Sequence, residues 1–347
     1  MARKILWASL ALGPVTILLH FAVHPGGNTD FVLAAASLIP LAWLIGEATE
    51  HAARHTGPGI GGFLNATFGN APELIIALFA VAEGLTEVVR GSLTGSVVGN
   101  LLLVLGFSLV FGRSGGRLDR QSTFISIGLV TLAVLLFLIP AVPGFDGDPE
   151  RRSLALLSIV PSLLLLLAYV AVTYVSLRRH HRLHTSDEPQ GMLGWSFRAS
   201  LVVLGAATVV TALIAEILVG SLETFAENAN LSDFFVAAVI VAIVGNAAEH
   251  GGAVVVAYRG HIRLATEIAL ASSAQVAVFL VPAVALLAWL IDPLALSFRP
   301  VELVVLAAAV AATSLLLADG HAARWKGAVL VAAYVGAAAA FFIAGDR

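Results

Sequence analysis

The stretch FGNAPELI, residues 68–75, places a glycine, an asparagine, a proline and a glutamate inside a long apolar run. The stretch VGNAAEH, residues 244–250, repeats this pattern almost exactly in spacing. A glutamate that recurs at the same place in two apolar segments indicates a shared role for the two copies. The shared pattern G-N-A-[PA]-E comprises Gly69, Asn70 and Glu73 in the first copy, and Gly245, Asn246 and Glu249 in the second.

The pattern predicts an interrupted helix. Pro72 has no backbone N–H and disfavours helical geometry at the residue before it, and Gly69 tolerates a bend. We therefore expect the first helix to break just ahead of Glu73, which frees backbone carbonyls to line a cavity. In the second copy Ala248 replaces the proline, so the expected break there depends on Gly245 alone.

The composition indicates an integral membrane protein. Of 347 residues, 59% are hydrophobic and 12% are charged, with a mean hydropathy of +0.95, whereas soluble domains carry about 25% charged residues. Apolar runs of about 20 residues without alternation indicate helices rather than barrel strands. The predicted fold class is an all-α polytopic membrane protein. The net charge of −3 offers no basic surface for nucleic acid, and the absence of cysteine excludes disulfides and thiolate metal sites.

Glycine, proline and charged clusters divide the chain into about eleven apolar segments. The predicted helices cover 5–23, 29–53, 61–87, 91–112, 121–140, 153–177, 196–222, 232–258, 264–290, 299–318 and 325–344.

Lysine and arginine orient these helices, because short cytoplasmic loops are enriched in them. Fourteen of the nineteen fall on one side, which places the N-terminus in the cytoplasm and the C-terminus outside. The longest polar connection lies between the sixth and seventh helices and divides the chain into two halves. We predict an N-terminal transmembrane helix at 1–28, a first repeat at 29–177, a cytoplasmic linker at 178–195 and a second repeat at 196–347.

The two halves match beyond the motif itself. Ser96 lies 23 residues after Glu73, and Ser272 lies 23 residues after Glu249. With the N-terminus inside, the third helix runs outward and the eighth runs inward, so the repeats are inverted. Inverted repeats with interrupted helices that meet near the bilayer midplane are typical of transporters that work by alternating access.

Two facing glutamates in a membrane suggest the chemistry of an antiporter. An ionised carboxylate at the bilayer centre costs about 2.5 to 3.5 kcal/mol on insertion scales, so such acids usually have a partner or a role. Either a divalent cation or protons can neutralise the pair, and the two states exclude each other. Carboxylate, carbonyl and hydroxyl oxygens suit Ca²⁺ better than softer transition metals. We predict that Glu73 and Glu249 bind the metal.

Other polar residues in the apolar segments form a wider candidate set. Glutamates near helix ends, Glu302 among them, are expected to reach the membrane surface. Glu47 and Glu216 fit either a gating role or local helix pairing, while Asn100 and Gln275 are expected to supply hydrogen bonds around the site. The candidates near the site or along a proton path are Asn70, Asn246, Ser96, Asn100, Ser272, Ser273 and Gln275.

The sequence does not suggest an enzyme. A zinc protease would need H-E-x-x-H, but the only comparable pairs, at 50–51 and 249–250, are reversed and have no third ligand. No phosphate-binding loop motif is visible. A channel would also use acidic side chains, but inverted broken helices fit alternating access better.

At these residues the chain resembles a known family. GEATEHAARHTGPGIGGFLNATFGNAPELIIALFA and VGNAAEHGGAVVVAYRGHIRLATEIALASSAQVAVFLVP look like the two α-repeats of the calcium/proton exchanger (CAX) family, within the cation/calcium exchanger superfamily. The resemblance covers about residues 41–317 and implies a first helix followed by two inverted five-helix repeats. It also implies cation export in exchange for protons. We expect Ca²⁺ to be the transported substrate and expect no cofactor. By the same resemblance, Glu73 and Glu249 would bind Ca²⁺, Ser96, Ser272 and Gln275 would lie beside it, and helices carrying Glu47 and Glu216 would slide as a gate.

The family resemblance leaves the coupling ion and the membrane open. Exchange driven by Na⁺, or monovalent cation/proton exchange, is the alternative function. The compact loops favour a bacterial plasma membrane, with the bilayer, Ca²⁺ and H⁺ as partners and homo-oligomerisation undecided.

Overall fold

The computed structural model describes residues 2–112, 114–183 and 194–345, and the regular elements in these ranges are helices. Three π-helical segments, Gly99–Val104, Val236–Val241 and Val276–Leu280, and two short 3₁₀ turns, Val142–Phe145 and Ala288–Leu290, connect some of them. The α-helices are α1 Ala2–Ser9, α2 Leu12–Ala22, α3 Gly27–Gly69, α4 Ala71–Ala82, α5 Thr86–Val98, α6 Leu105–Phe111, α7 Arg120–Ala141, α8 Arg152–Leu183, α9 Phe197–Ala229, α10 Asp233–Phe235, α11 Ala242–Gly245, α12 Ala247–Tyr258, α13 Ile262–Gln275, α14 Val281–Leu287, α15 Pro300–Leu317 and α16 Arg324–Ala344.

The described residues form fewer membrane-spanning helices than the eleven predicted. Nine helical stretches are long and apolar enough to cross a bilayer. A tenth arises if Asp233–Gly245 and Glu249–Tyr258, which meet at a bend of 58°, count as one broken span. The all-helical membrane fold is confirmed, whereas the count of eleven is not.

The difference lies in the second and third predicted helices. A break was expected between 53 and 61, but α3 is continuous from Gly27 to Gly69. Glycine and proline interrupt membrane helices less reliably than soluble ones, because neighbouring groups can satisfy the freed backbone. The rest of the third predicted helix is α4, whose 12 residues extend about 18 Å, well short of the roughly 30 Å hydrocarbon core.

Three other boundaries differ from the predicted ones. The first helix is interrupted at residues 10–11, and α8 continues to Leu183, six residues into the predicted linker. The turn between α4 and α5 falls at 83–85 rather than 88–90, because Gly84 adopts a φ of +73° that other residues rarely accept. Arg90, expected in a loop, is therefore inside α5.

Close glycine contacts hold α5 against the segment Val236–Val241. A Cβ on Gly95 would lie 1.9 Å from the carbonyl oxygen of Ala238, and a Cβ on Gly91 would lie 3.0 Å from the Phe234 ring. Two glycines four residues apart share a helix face, and such pairs let membrane helices approach closely. The backbones of α5 and this π-helical segment are therefore nearly in contact.

A buried charge network ties α5 to α15. Arg90 is only 1% exposed; its Nη2 lies 2.6 Å from Glu150 Oε1, and its Nη1 donates to the Ala295 carbonyl. Glu302, expected at the membrane surface, is instead fully buried and accepts hydrogen bonds from the Thr94 hydroxyl and the Arg299 N–H. The expectation was wrong because arginine partners at neighbouring elements make burial of this carboxylate tolerable.

Arg299 extends the network to the C-terminal helix. Its guanidinium donates to the carbonyls of Ala344 and Gly345 and lies 4.6 Å from the centre of the Phe234 ring. These carbonyls at the end of α16 have no partner within their own helix, so Arg299 caps it.

Two loops elsewhere in the chain are joined by backbone pairing and an ion pair. Residues 115–118 exchange backbone hydrogen bonds with residues 320–322. Lys326 is 3% exposed and donates to both carboxylate oxygens of Asp319, at 2.5 and 2.6 Å. This hydrogen bond holds the pKa of the Asp319 carboxyl below its usual range.

The glycine contact in α5 predicts a sharp difference between two similar substitutions. We expect Gly95→Ala to lower the thermal unfolding midpoint of the detergent-purified protein, because overpacking costs about 1–3 kcal/mol. Gly99→Ala is the matched control, since a Cβ there meets nothing within 4 Å. Equal midpoints for the two variants would contradict the close approach of α5 to Ala238.

The different burial of two arginines predicts that substituting them will affect the stability of the fold unequally. We expect Arg90→Met to lower the unfolding midpoint strongly, because it removes a compensating charge from the fully buried Glu302 carboxylate, and an uncompensated buried charge costs about 3–5 kcal/mol. Arg263 forms ion pairs with Asp119 and Glu267, but its side chain is 63% exposed. Arg263→Met should therefore leave the midpoint close to wild type. A similar loss in both variants would show that the Arg90 network does not stabilise the fold.

Candidate functional site

Both copies of the motif break their helix at the asparagine. Asn70, between α3 and α4, has φ −101° and ψ 17°, and Asn246, between α11 and α12, has φ −92° and ψ 6°. Both conformations lie in the sparsely occupied bridge region, where many active-site residues are found. The second break forms without a proline, so the alanine at position 248, where the first copy has Pro72, does not prevent it.

Each glutamate occupies the first turn of the helix that follows the break. Glu73 is the third residue of α4, and Glu249 is the third residue of α12. Backbone N–H groups without intrahelical partners give this end of a helix a partial positive charge, which favours a carboxylate there. Glu73 is buried and Glu249 half-buried.

The glycine of each motif packs against the glutamate of the other. A Cβ on Gly245 would lie 3.3 Å from Glu73 Cγ and 3.7 Å from Glu73 Oε1. A Cβ on Gly69 would lie 3.7 Å from Glu249 Oε1. Such reciprocal contacts are what a local twofold axis produces, and each glutamate therefore lies in direct contact with the glycine of the opposite motif.

The two carboxylates are close enough to interact electrostatically. Like charges in a low-dielectric region repel strongly, so both groups can be ionised together only if a cation lies near them. The pair can therefore exchange a bound cation for protons.

Hydrogen bonds cross between the two halves around this pair. The Asn246 amide donates to Ser96 Oγ at 2.9 Å and to the Ala242 carbonyl at 3.0 Å. Ser273 donates to the Val97 carbonyl at 3.1 Å. These contacts join α5 of the first half to α11, α12 and α13 of the second.

A second line of hydrogen bonds reaches Glu249. The Asn100 amide donates to Ser272 Oγ at 3.0 Å, and the Ser272 hydroxyl donates to Glu249 Oε2. Asn100 and Ser272 are both buried, so water does not compete for these groups.

Three buried oxygens in this cluster have no hydrogen-bond partner among the described residues: Glu73 Oε2, Asn100 Oδ1 and Asn246 Oδ1. Leaving a buried acceptor unpaired costs about 1–3 kcal/mol, so each such group needs an explanation. A narrow cavity beside Glu73, lined also by Ser92 and Ser96, gives the Glu73 carboxylate space to bind a ligand. Because carboxylate and amide oxygens are hard donors, the ligand they suit is a hard cation.

The described residues contain no cluster of three or more histidine, cysteine, aspartate or glutamate side chains that could hold a metal. Cation binding here would therefore depend on two carboxylates complemented by amide, hydroxyl or backbone oxygens.

A π-helical segment adjoins the polar cluster in each of three helices. Asn100 lies in the first segment, Gln275 immediately precedes the third, and the second leads into α11. Such segments occur frequently at functional sites, because the wider turn shifts side chains and frees carbonyls. Hydrophobic periodicity and turn signals did not reveal them.

The remaining candidates lie on different elements. Glu47 is half-buried in α3, with Oε1 3.5 Å from His51 Nε2, and Glu216 is exposed on α9. The helices α3 and α9 pack against each other. Gln275 is half-buried at the end of α13, and Asn70 is buried at the first break. The structure thus brings together Glu73, Glu249, Asn246, Ser96, Asn100, Ser272 and Ser273, and it places Glu47 and Glu216 on the α3–α9 pair.

The sequence analysis missed the second role of the motif glycines. Gly69 and Gly245 were interpreted only as hinges, but each also makes room for the opposing glutamate. The sequence feature that could have indicated this contact is the spacing: each glycine lies four residues before the glutamate of its own copy, Glu73 or Glu249.

Comparison with known proteins places the chain among cation exchangers. A family model described as "Sodium/calcium exchanger protein" matches residues 30–178 and 199–343. The chain is 38% identical over 357 residues to the Ca²⁺/H⁺ antiporter ChaA of Bacillus subtilis, covering 98% of this chain and 99% of that protein. It is 33% identical over 367 residues to the Ca²⁺/H⁺ antiporter of Aphanothece halophytica, covering 98% and 96%.

A solved structure has a similar fold over nearly the full length of both chains. The fold is similar to that of native YfkE, with a TM-score of 0.82 and 36% identity, covering 99% of this chain and 100% of that one. The two matched segments of the family model include both motifs, and the matched relatives are transporters. The chain therefore belongs to the sodium/calcium exchanger protein family.

Proposed function

We propose that this protein is a secondary active antiporter that exchanges Ca²⁺ for H⁺ across a membrane. The observation that carries the proposal is the arrangement of Glu73 and Glu249, each in the first turn of a broken helix and each packed against the glycine of the other motif. The names of the similar proteins from Bacillus subtilis and Aphanothece halophytica support the choice of ions.

Charge balance couples the two ions at this site. When both carboxylates are ionised, a divalent cation compensates their charge, and protons compensate the same charge after the cation leaves. Ca²⁺ is the transported substrate rather than a cofactor. Because neither carboxylate can remain buried, ionised and unpaired at low cost, an empty deprotonated site is disfavoured during the crossing.

The oxygen atoms near the pair supply a plausible ligand set. Ca²⁺ takes six to eight oxygen ligands at 2.3–2.6 Å. The carboxylates of Glu73 and Glu249 and the amide oxygen of Asn246 would bind directly, since the Asn246 amide nitrogen is already committed to Ser96 and Ala242. Backbone carbonyls at the two breaks and water would complete the shell.

Alternating access would require one part of the molecule to move past the site. We propose that residues 29–177 and 196–347 are the two inverted repeats. The packed pair α3 and α9, carrying Glu47 and Glu216, would form the gate. The N-terminus would lie in the cytoplasm of a bacterial cell, with the protein in the plasma membrane, because lysine and arginine concentrate on that side.

Neutralising either site glutamate should abolish exchange. We expect Glu73→Gln and Glu249→Gln each to reduce ⁴⁵Ca²⁺ uptake into proteoliposomes, driven by an imposed pH gradient, to near background. The amide keeps the shape of the side chain but can neither balance the cation charge nor carry the proton. Glu227→Gln, at an exposed position on α9, is the matched control and should transport like wild type. Full uptake by either site variant, with Glu227→Gln also active, would remove that glutamate from the site.

Coupling to Na⁺ is the second candidate, because the family model describes sodium/calcium exchangers. Monovalent cation/proton exchange is a third candidate, and flux measurements in the same proteoliposomes test it too. We expect an imposed pH gradient to drive Ca²⁺ uptake by the wild-type protein and an equal Na⁺ gradient at symmetric pH to drive none. Ca²⁺ flux that follows Na⁺ and ignores the pH gradient would favour the second candidate, and Na⁺/H⁺ exchange without Ca²⁺ flux would favour a monovalent antiporter.

A further inference from the structure

We propose that Asn100 is a positioning residue, which fixes the Ser272 hydroxyl as a hydrogen-bond donor to Glu249 and so holds one site glutamate more firmly than the other. The inference rests on the proposed function, since it describes how the same site binds its cation.

The geometry is a chain of two hydrogen bonds that crosses from the first half to the second. The Asn100 amide nitrogen lies 3.0 Å from Ser272 Oγ, and the Ser272 hydroxyl donates to Glu249 Oε2. Asn100 is 1% exposed and Ser272 is 5% exposed. Neither side chain therefore exchanges partners with bulk water.

Donor and acceptor chemistry sets the direction of this chain. An ionised carboxylate can only accept, so Ser272 must use its single proton toward Glu249. The partner of Ser272 on its other side must then be a donor, and the amide group of Asn100 supplies one. Without Asn100, the Ser272 hydroxyl could rotate toward a neighbouring carbonyl and leave Glu249 Oε2 unpaired.

The other half of the molecule does not repeat this arrangement. Asn100 lies four residues after Ser96, whereas the residue four positions after Ser272 is Val276, whose side chain cannot donate a hydrogen bond. Ser96 instead accepts from Asn246, and Glu73 Oε2 has no hydrogen-bond partner among the described residues. Glu73 also faces the cavity beside Ser92 and Ser96.

This inequality gives the two glutamates different tasks. Glu249 is a preorganised ligand, with Oε2 held by Ser272 and Oε1 directed toward Gly69. Glu73 Oε2 has no such hydrogen bond among the described residues, so this oxygen can reorient more easily as the cation enters or leaves. Preorganisation lowers the ordering cost of binding, so Asn100 should act on cation affinity rather than on the rate of the transport cycle.

A double-mutant cycle tests the proposal. We expect Asn100→Leu to raise the KM for Ca²⁺ about fivefold to tenfold, the range of one net hydrogen bond, with little change in maximal uptake. Ser272→Ala should do the same. Because Asn100 acts through Ser272, the double variant should be no worse than Ser272→Ala alone. Asn100→Ala serves as a second variant if leucine prevents folding.

Ser108→Ala is the matched control. Ser108 lies on α6, is fully buried, and its hydroxyl has no partner among the described residues. Its removal should leave the KM unchanged. If the effects of Asn100→Leu and Ser272→Ala add, or if Asn100→Leu lowers maximal uptake at an unchanged KM, the positioning role is wrong.

A second measurement separates this inference from the proposed function. The rise in melting temperature of the detergent-purified protein on addition of CaCl₂ reports cation binding without transport. If wild type binds Ca²⁺ but shows no proton-driven uptake, the proposed coupling fails, and the same cycle in melting temperature still decides the role of Asn100. If Ca²⁺ does not shift the wild-type melting temperature and drives no uptake, both proposals are overturned.

Discussion

Two glutamates that face each other across a pair of broken helices impose the main physical constraint on this structure. Each carboxylate must be buried near the other, and each needs space that an ordinary side chain would fill. Gly69 and Gly245 provide that space reciprocally, since each lies against the glutamate of the opposite motif. The breaks at Asn70 and Asn246 then direct the positive ends of two helices toward the acids. The broken helices, the two glycines and the two glutamates thus all serve one requirement, which is to bury two carboxylates close together.

The requirement explains which features the sequence could predict. The five-residue motif, its repetition and the matching positions of Ser96 and Ser272 are local patterns, so the polar cluster could be anticipated before any coordinates. The breaks were predicted for the same reason, and the second forms even with Ala248 in place of proline. Short-range steric rules are sufficient at these positions.

Long-range features could not be predicted in this way. Arg90 was assigned to a loop and Glu302 to the membrane surface, because a single sequence does not show that Glu150 and Thr94 approach them. The continuity of α3 across residues 54–60 was missed because glycine and proline lower the stability of a helix without forbidding it. The π-helical segments also left no periodic signal, although one of them contains Asn100. For Arg90 and Glu302 the deciding partners lie far away in the chain.

The helix α5 shows how these long-range contacts control the site. Residues 88–98 are all buried, and three faces of the helix have different partners. Gly91 and Gly95 contact Phe234 and Ala238, while the face with Arg90 and Thr94 contacts Ala295 and Glu302.

The third face of α5 carries Ser92 and Ser96 and lines the cavity beside Glu73. Successive residues of an α-helix are rotated by about 100°, so fixing the first two faces also fixes the direction of the third. Ser96 is therefore positioned by contacts that lie away from the cavity, and a change at Gly95 or Arg90 would reach the glutamates by rotating or shifting this one helix.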